Sequence, residues 1–225
     1  MQILYGFNIP TSLYDKIADF DAEIFPANSS EFEIDTNIPR NQILSMLEKN
    51  IQTTVIALDD NNDIVAYYQA FPITRECEEK HLNNDLSFKD IHKSNILPVN
   101  SKDINLYIMS VGIKRKYREK HIEDPNNPNV FVPLMLLLNE GLVDALTDVI
   151  CNGTTIRSVF GEAVSEKGFR IMESLCGKDG LIYANNKDFL YSFYSQFNCE
   201  CAAFAKCRNL NKLKQAINNS YCSET

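Results

Sequence analysis

Apolar residues recur at helical spacing in the first fifty positions. After an extended run from Gln2 to Phe7 and a break at Pro10, Leu13, Ile17, Phe20 and Ile24 fall three or four apart, which predicts an amphipathic helix over TSLYDKIADFDAEIF. A second helix is predicted from Pro39, a residue suited to a first helical turn, and carries Ile43, Leu44, Met46 and Leu47. The period then changes. TTVIAL from Thr53, the polar turn DDNN, and DIVAYYQAFPI ending at Ile73 read as a hairpin of β-branched and aromatic strands.

Thr74 to Lys102 is polar and weakly patterned, so a long loop with one short helix is expected there. INLYIMSVGI, Ile104 to Ile113, is a nearly continuous apolar run and predicts a strand buried on both faces, at the centre of a sheet. A basic stretch, KRKYREKH, and a turn-forming EDPNNPN separate it from the strongest helical stripe, Leu134, Leu137, Leu138, Leu142, Ala145, Leu146 and Val149, with Gly153 just past its end. The apolar run VFVPLMLLL, Val130 to Leu138, is broken by proline and shorter than the ~20 residues a membrane span needs, so it reads as a core helix.

TIRSVFGEA, Thr155 to Ala163, predicts the next strand, and Ser165 caps a helix that stops at Gly177. Between Leu181 and Phe197 the aromatic residues fit both periods: Phe189, Tyr191 and Phe193 a strand, Phe189, Phe193, Tyr194 and Phe197 a helix. Strands are assigned. Leu210, Leu213 and Ile217 mark a short last helix. No repeat, low-complexity block or linker divides the chain, which predicts one domain over 1–225 with 199–225 as a short C-terminal extension.

Composition narrows the partners. The chain has 225 residues, 44% hydrophobic and 23% charged, in the globular range. Its formal charge of −8 argues against a nucleic-acid binder and favours a cationic substrate. No signal-like leader follows Met1, so a cytoplasmic protein with no membrane partner is expected. Seven cysteines, an odd number in a chain too large to need stapling, predict reduced thiols. Cys199, Cys201, Cys207 and Cys222 lack CxxC spacing, so no metal site is expected.

Two segments carry a family resemblance. IMSVGIKRKYREKHI resembles the signature strand and cofactor loop of the GNAT acyl-CoA N-acyltransferases, with Val111, Ile113, Tyr117, Arg118, Lys120 and Ile122 in register with a strand followed by PxYRGKGIG. GEAVSEKGFRIMESLCG resembles the later block in which a strand runs into NxxAxxxYxxxGF; Ser165 stands at the Asn position, Gly168 at the Ala position and Met172 at the Tyr position. NDIVAYYQAFPI is similar to the strand that follows the family's hairpin, and the order of predicted elements is the family's order. The resemblance spans Ile64 to Gly177. It implies an α/β (α+β) fold with a mixed, mainly antiparallel central sheet flanked by helices, and acetyl-CoA as cosubstrate for acylating a small-molecule or peptide amine.

By the same resemblance, the backbone of Met109, Val111 and Ile113 faces the pantetheine arm, and the loop with Arg118, Lys120 and His121 receives the pyrophosphate. His121 and Glu123 stand where the family has glycine or alanine and Glu119 replaces a common glycine, so side-chain cations take over from a backbone cradle. The residues themselves offer Glu162, ending a strand that flanks the central one, as a carboxylate whose pKa partial burial raises toward that of a general base, or else as an acid favourably placed before a helix. With methionine at position 172, Tyr183 or Tyr191 is the candidate for protonating the leaving thiolate, unless it leaves without a donor. The same departures admit a second expectation, a catalytically degenerate module that binds CoA or another anion. No histidine has triad partners at readable spacing, and no cysteine carries a nucleophile signature.

Overall fold

The computed structural model describes residues 1–26, 37–83, 85–176, 181–184, 191–197 and 203–222, with backbone alone for 176, 181–184, 191–193 and 221–222. Strand β1 (Gln2–Tyr5) opens the chain, followed by helices α1 (Tyr14–Ile24) and α2 (Arg40–Lys49). The hairpin β2 (Thr54–Leu58) and β3 (Ile64–Ile73) follows; the polar loop then contains α3 (Arg75–Leu82) and two short 3-10 turns. Strand β4 is Asp103–Ile113.

The next segment departs from expectation. EDPNNPN is not a simple turn: β5 (His121–Asp124) and β6 (Asn127–Pro133) form a separate two-stranded ribbon. Asp124 caps its tip by accepting from the Asn126 N–H and Asn127 Nδ2, both at 2.9 Å, and Asn129 adopts the left-handed φ of 69°. Only Ile122 and Val132, paired across the ribbon, turn inward to the core; Val130 and Phe131 are exposed. The run from Val130 is therefore strand first and helix second. Proline explains the change, because Pro133 lacks the N–H an interior helical position needs but suits the cap of α4 (Leu134–Cys151).

Helix α4 ends where Gly153, at φ 85°, turns the chain left-handed while its N–H bonds the Ile150 carbonyl. Then come β7 (Thr155–Ala163), α5 (Glu166–Cys176), β8 (Leu181–Ala184), β9 (Tyr191–Gln196) and α6 (Leu210–Cys222). Among the described residues the main sheet runs β1-β2-β3-β4-β7-β9-β8, antiparallel throughout except for the parallel pair β4 and β7. A parallel pair needs a crossover, and α4 supplies it. The fold is thus a mixed, mainly antiparallel sheet with helices on both faces.

Each face has its own core. Leu138, Leu142 and Leu146 of α4 pack with Val55, Tyr68 and Leu106 on one side, joined by Leu213 and Ala216 of α6. On the other, Ile17 and Phe20 of α1 and Ile43, Met46 and Leu47 of α2 cover Ile56, Tyr67 and Phe71. Cys77 and Cys207 are buried free thiols, and Cys151 is exposed. Cys199 and Cys201, with the side chain of Cys222, lie outside the described residues. No helix among the described residues is long and apolar enough to cross a membrane, and no cluster of His, Cys, Asp and Glu among them has the form of a metal site.

Candidate active site

The parallel pairing of β4 and β7 holds from Asp103 opposite Thr155 to Ile108 opposite Gly161, and then stops. At the same point the β3–β4 register shifts: Ala70 faces Ile108 and Gln69 faces Ser110, so Met109 is an unpaired bulge residue. A bulge bends and twists its strand, which turns the second half of β4 away from β7. Each arm keeps an outer partner, β4 pairing with β3 up to Ile113 and β7 with β9 up to Ala163. The result is a fork in the sheet holding a cavity of ≈ 680 Å³.

This cavity reaches both faces. Val111, Ile113, Met135, Ile171 and Met172 line it from the α4 side, and Ile24, Phe25, Ile38 and Phe88 line it from the α1–α2 side. The first turns of two helices border it, α4 through Met135 and α5 from Glu166 to Gly168, where the Ser165 hydroxyl accepts the Gly168 N–H at 3.1 Å. Helix N-termini present unbonded N–H groups and favour anions.

Five of the residues singled out from sequence line the cavity: Met109, Val111, Ile113, Arg118 and Glu162. Arg118 donates Nε to the Ile113 carbonyl at 2.9 Å and its side chain makes no other hydrogen bond among the described residues, which leaves its outer nitrogens for a ligand. Lys120 and His121 are elsewhere. A 3-10 turn, Arg115–Tyr117, swings the loop toward the β2–β3 turn: Lys116 and Lys120 sit over the Tyr117 ring, and its hydroxyl donates to Asp59 at 3.3 Å. His121 begins the β5 ribbon beside Asp59 and Asp60. Tyr183 lies on β8 opposite Ser192, but its side chain is outside the described residues, as is that of Tyr191. Met172 is buried against the cavity, and among the described residues no tyrosine lines it.

Glu162 stands one residue past the last β4–β7 pair, on the α1–α2 face of the sheet, where Oε2 accepts the Phe88 N–H at 3.2 Å. Burial pushes its carboxyl up to about 7, the Phe88 bond opposing the shift and the nearby Asp90 adding to it.

A second carboxyl was not among the candidates read from sequence. Asp21 is buried on α1 and lines the cavity; Oδ1 accepts both the Tyr67 hydroxyl and the Ser110 hydroxyl, the latter at 3.2 Å. Burial raises its pKa to about 6 against the two hydrogen bonds, which lower it. Tyr67 reaches Asp21 because Gly112 leaves room: a Cβ there would lie 2.4 Å from the Tyr67 ring. A signal was present. Asp21 is four residues after Ile17 and three before Ile24, a carboxylate inside an apolar stripe.

No protein family and no curated protein matches the sequence. Solved structures with a similar fold include arylalkylamine N-acetyltransferase 2 from Aedes aegypti, at 13% identity over 88% of this chain and 99% of that one, with a TM-score of 0.49. Phosphinothricin acetyltransferase of the GNAT superfamily from Sinorhizobium meliloti, in complex with AcCoA, is 11% identical over 87% of this chain and 86% of its own, with a TM-score of 0.47. Naa20 from Chaetomium thermophilum, in complex with a bisubstrate analogue, is 13% identical over 88% of this chain and 87% of its own, with a TM-score of 0.46. The fork and its carboxyls are properties of this chain.

Proposed function

We propose that this protein is an acyl-CoA-dependent N-acyltransferase that acts on a primary amine, with acetyl-CoA as the acyl donor. One observation carries the reading: the sheet forks at Met109 into a cavity open to both faces, with a carboxyl of raised pKa at the fork. Among the described residues the β7-side edge of β4 has no strand partner beyond Ile108, so backbone groups of Met109 and Val111, and of Ile113 apart from the carbonyl that Arg118 holds, are available to the amides of a pantetheine arm. The α4 and α5 N-termini and Arg118 favour its phosphates at the same side. The amine then comes from the α1–α2 face.

In this reading the cavity brings the amine nitrogen to the thioester carbonyl carbon. Glu162, directly or through a water, takes the proton the nitrogen loses as the C–N bond forms. The C–S bond breaks and CoA leaves as its thiolate. Met172 has no proton to give, so the side chain at that position does not protonate the thiolate.

The β5–β6 ribbon, standing where a glycine turn would feed a helix, favours a second reading, a CoA-binding module without turnover. Both are tested by the thermal stability of the chain across concentrations of acetyl-CoA and CoA, with ATP and pyrophosphate as controls, followed by thiol release with a panel of amines. Ligand in hundredfold excess over Kd stabilises by ~2.7 kcal/mol. A saturable, CoA-specific shift with amine-dependent thiol release is expected. The shift without release supports the module; no shift, or an equal shift with every anion, refutes both.

A further inference from the structure

Asp21 is a buried carboxyl with no cation paired to it among the described residues. Its hydrogen bonds come from two neutral hydroxyls, both on Oδ1, which leaves Oδ2 without a partner among the described residues. Lys114 is engaged elsewhere: it pairs with Glu23 at 3.2 Å and lies over the Phe20 ring. A carboxylate removed from water without a counter-charge is costly, and folds keep such groups where a partner completes them. Here the unpartnered oxygen belongs to a residue that lines the cavity.

The two carboxyls differ in preparation. Glu162 receives one backbone N–H, whereas Asp21 is held as an acceptor by Tyr67 and Ser110, bonds that favour its charged form. They sit on different elements, β7 and α1, on the same face of the sheet. Ile24, Phe25, Ile38 and Phe88 give that face an apolar lining. A proton acceptor, a fixed negative charge and apolar walls match a molecule with two nitrogens on a hydrocarbon spacer.

Building on the acyltransferase reading, we infer that Asp21, fixed by Tyr67 and Ser110, is a binding subsite for a second, cationic nitrogen of the acceptor, and that the acceptor is a diamine-like compound with an apolar spacer. The nitrogen at Glu162 loses its proton and is acylated; the one at Asp21 stays charged and sets the orientation.

Calorimetric titration of the full chain with 1,4-diaminobutane and with 1-aminobutane, in the presence of CoA, tests this. The diamine is expected to bind at least tenfold more tightly. Asp21→Asn, checked for folding by circular dichroism, brings the ratio close to one. Asp15→Asn, an exposed charge change on the same helix, leaves it in place. Equal binding of the two amines, absence of binding by either, or a preference that survives Asp21→Asn overturns the subsite. Its failure is separable from that of the transferase: a diamine preference that needs Asp21 without any CoA-dependent transfer keeps the subsite, and transfer to 1-aminobutane without diamine preference removes it.

Discussion

At the scale of single residues, the cavity is lined by two carboxyls whose charge burial opposes. In the proposed reaction Glu162 must be ionised to accept a proton, so kcat/KM is expected to rise with pH through about 7, the value to which burial lifts its carboxyl. Glu162→Gln removes that limb and lowers the rate by ~10²–10⁴-fold. The same shift acts on stability with the opposite sign. Because the folded pKa lies above the ordinary value of 4.5, the contribution of Glu162 is fully present below that value and is lost as pH rises through about 7. At pH 8.5 the wild type therefore carries a cost on the order of 1–3 kcal/mol that glutamine does not. Melting curves are expected to show Glu162→Gln above the wild type at pH 8.5 and level with it at pH 4.5; a variant no more stable at pH 8.5 refutes the buried-charge account. Glu162 was legible in sequence as the acid closing a flanking strand. Asp21 was less so, because its meaning depends on Tyr67 and Ser110, which are 46 and 89 positions away.

At the scale of elements, hydrophobic period placed every long helix and strand, since α1, α2, α4 and β2 to β4 each bury a stripe or run that the sequence displays. The β5–β6 ribbon was hidden for the converse reason: of its apolar residues only Ile122 and Val132 turn inward, its tip reads as polar turn, and Val130 and Phe131 read as the start of the following helix. Its attachment rests on side chains far along the chain. Arg208 bonds Glu140 of α4 through Nε at 2.8 Å and Nη2 at 2.7 Å, and its Nη1 also bonds the fully buried Asp124 at the ribbon tip. Together with hydrogen bonds from Asn126 and Asn127, that contact holds the Asp124 carboxyl well below the usual carboxylate range. Arg208→Met leaves two largely buried acids without their cation, and a loss of about 1–3 kcal/mol in urea denaturation is expected at pH 7. The sign with pH follows from the lowered pKa: this stabilisation is present above the ordinary Asp value and fades as acid protonates Asp124, so the gap between variant and wild type narrows toward pH 3. A lysine at 208 recovers only part, because it lacks the planar fork that meets two carboxylates at once. A gap that stays constant from pH 7 to pH 3 contradicts the clasp.

At the scale of the whole molecule, the sheet is both scaffold and partition. The order of elements already predicted a central strand flanked by Glu162's strand, but the fork arises from one unpaired residue, Met109, inside a run that reads as uninterrupted strand; register shifts of this kind leave no periodic trace. In the proposed reaction the fork gives two entrances in separate layers, each with its own core. Changes on one face should then act on one substrate. Ile171→Trp on α5 crowds the α4-side wall and is expected to raise the KM for acetyl-CoA while the amine KM moves less than about twofold. Phe25→Ala removes apolar surface from the opposite wall, ~1.5 kcal/mol of contact, and is expected to raise the amine KM by about tenfold with acetyl-CoA unaffected. In steady-state kinetics with both substrates varied, the two single changes multiply in the double variant, since the residues act on different ligands from opposite sides of the sheet. If either substitution shifts both KM values by the same factor, the cavity is one undivided pocket, and the assignment of donor and acceptor to opposite faces fails.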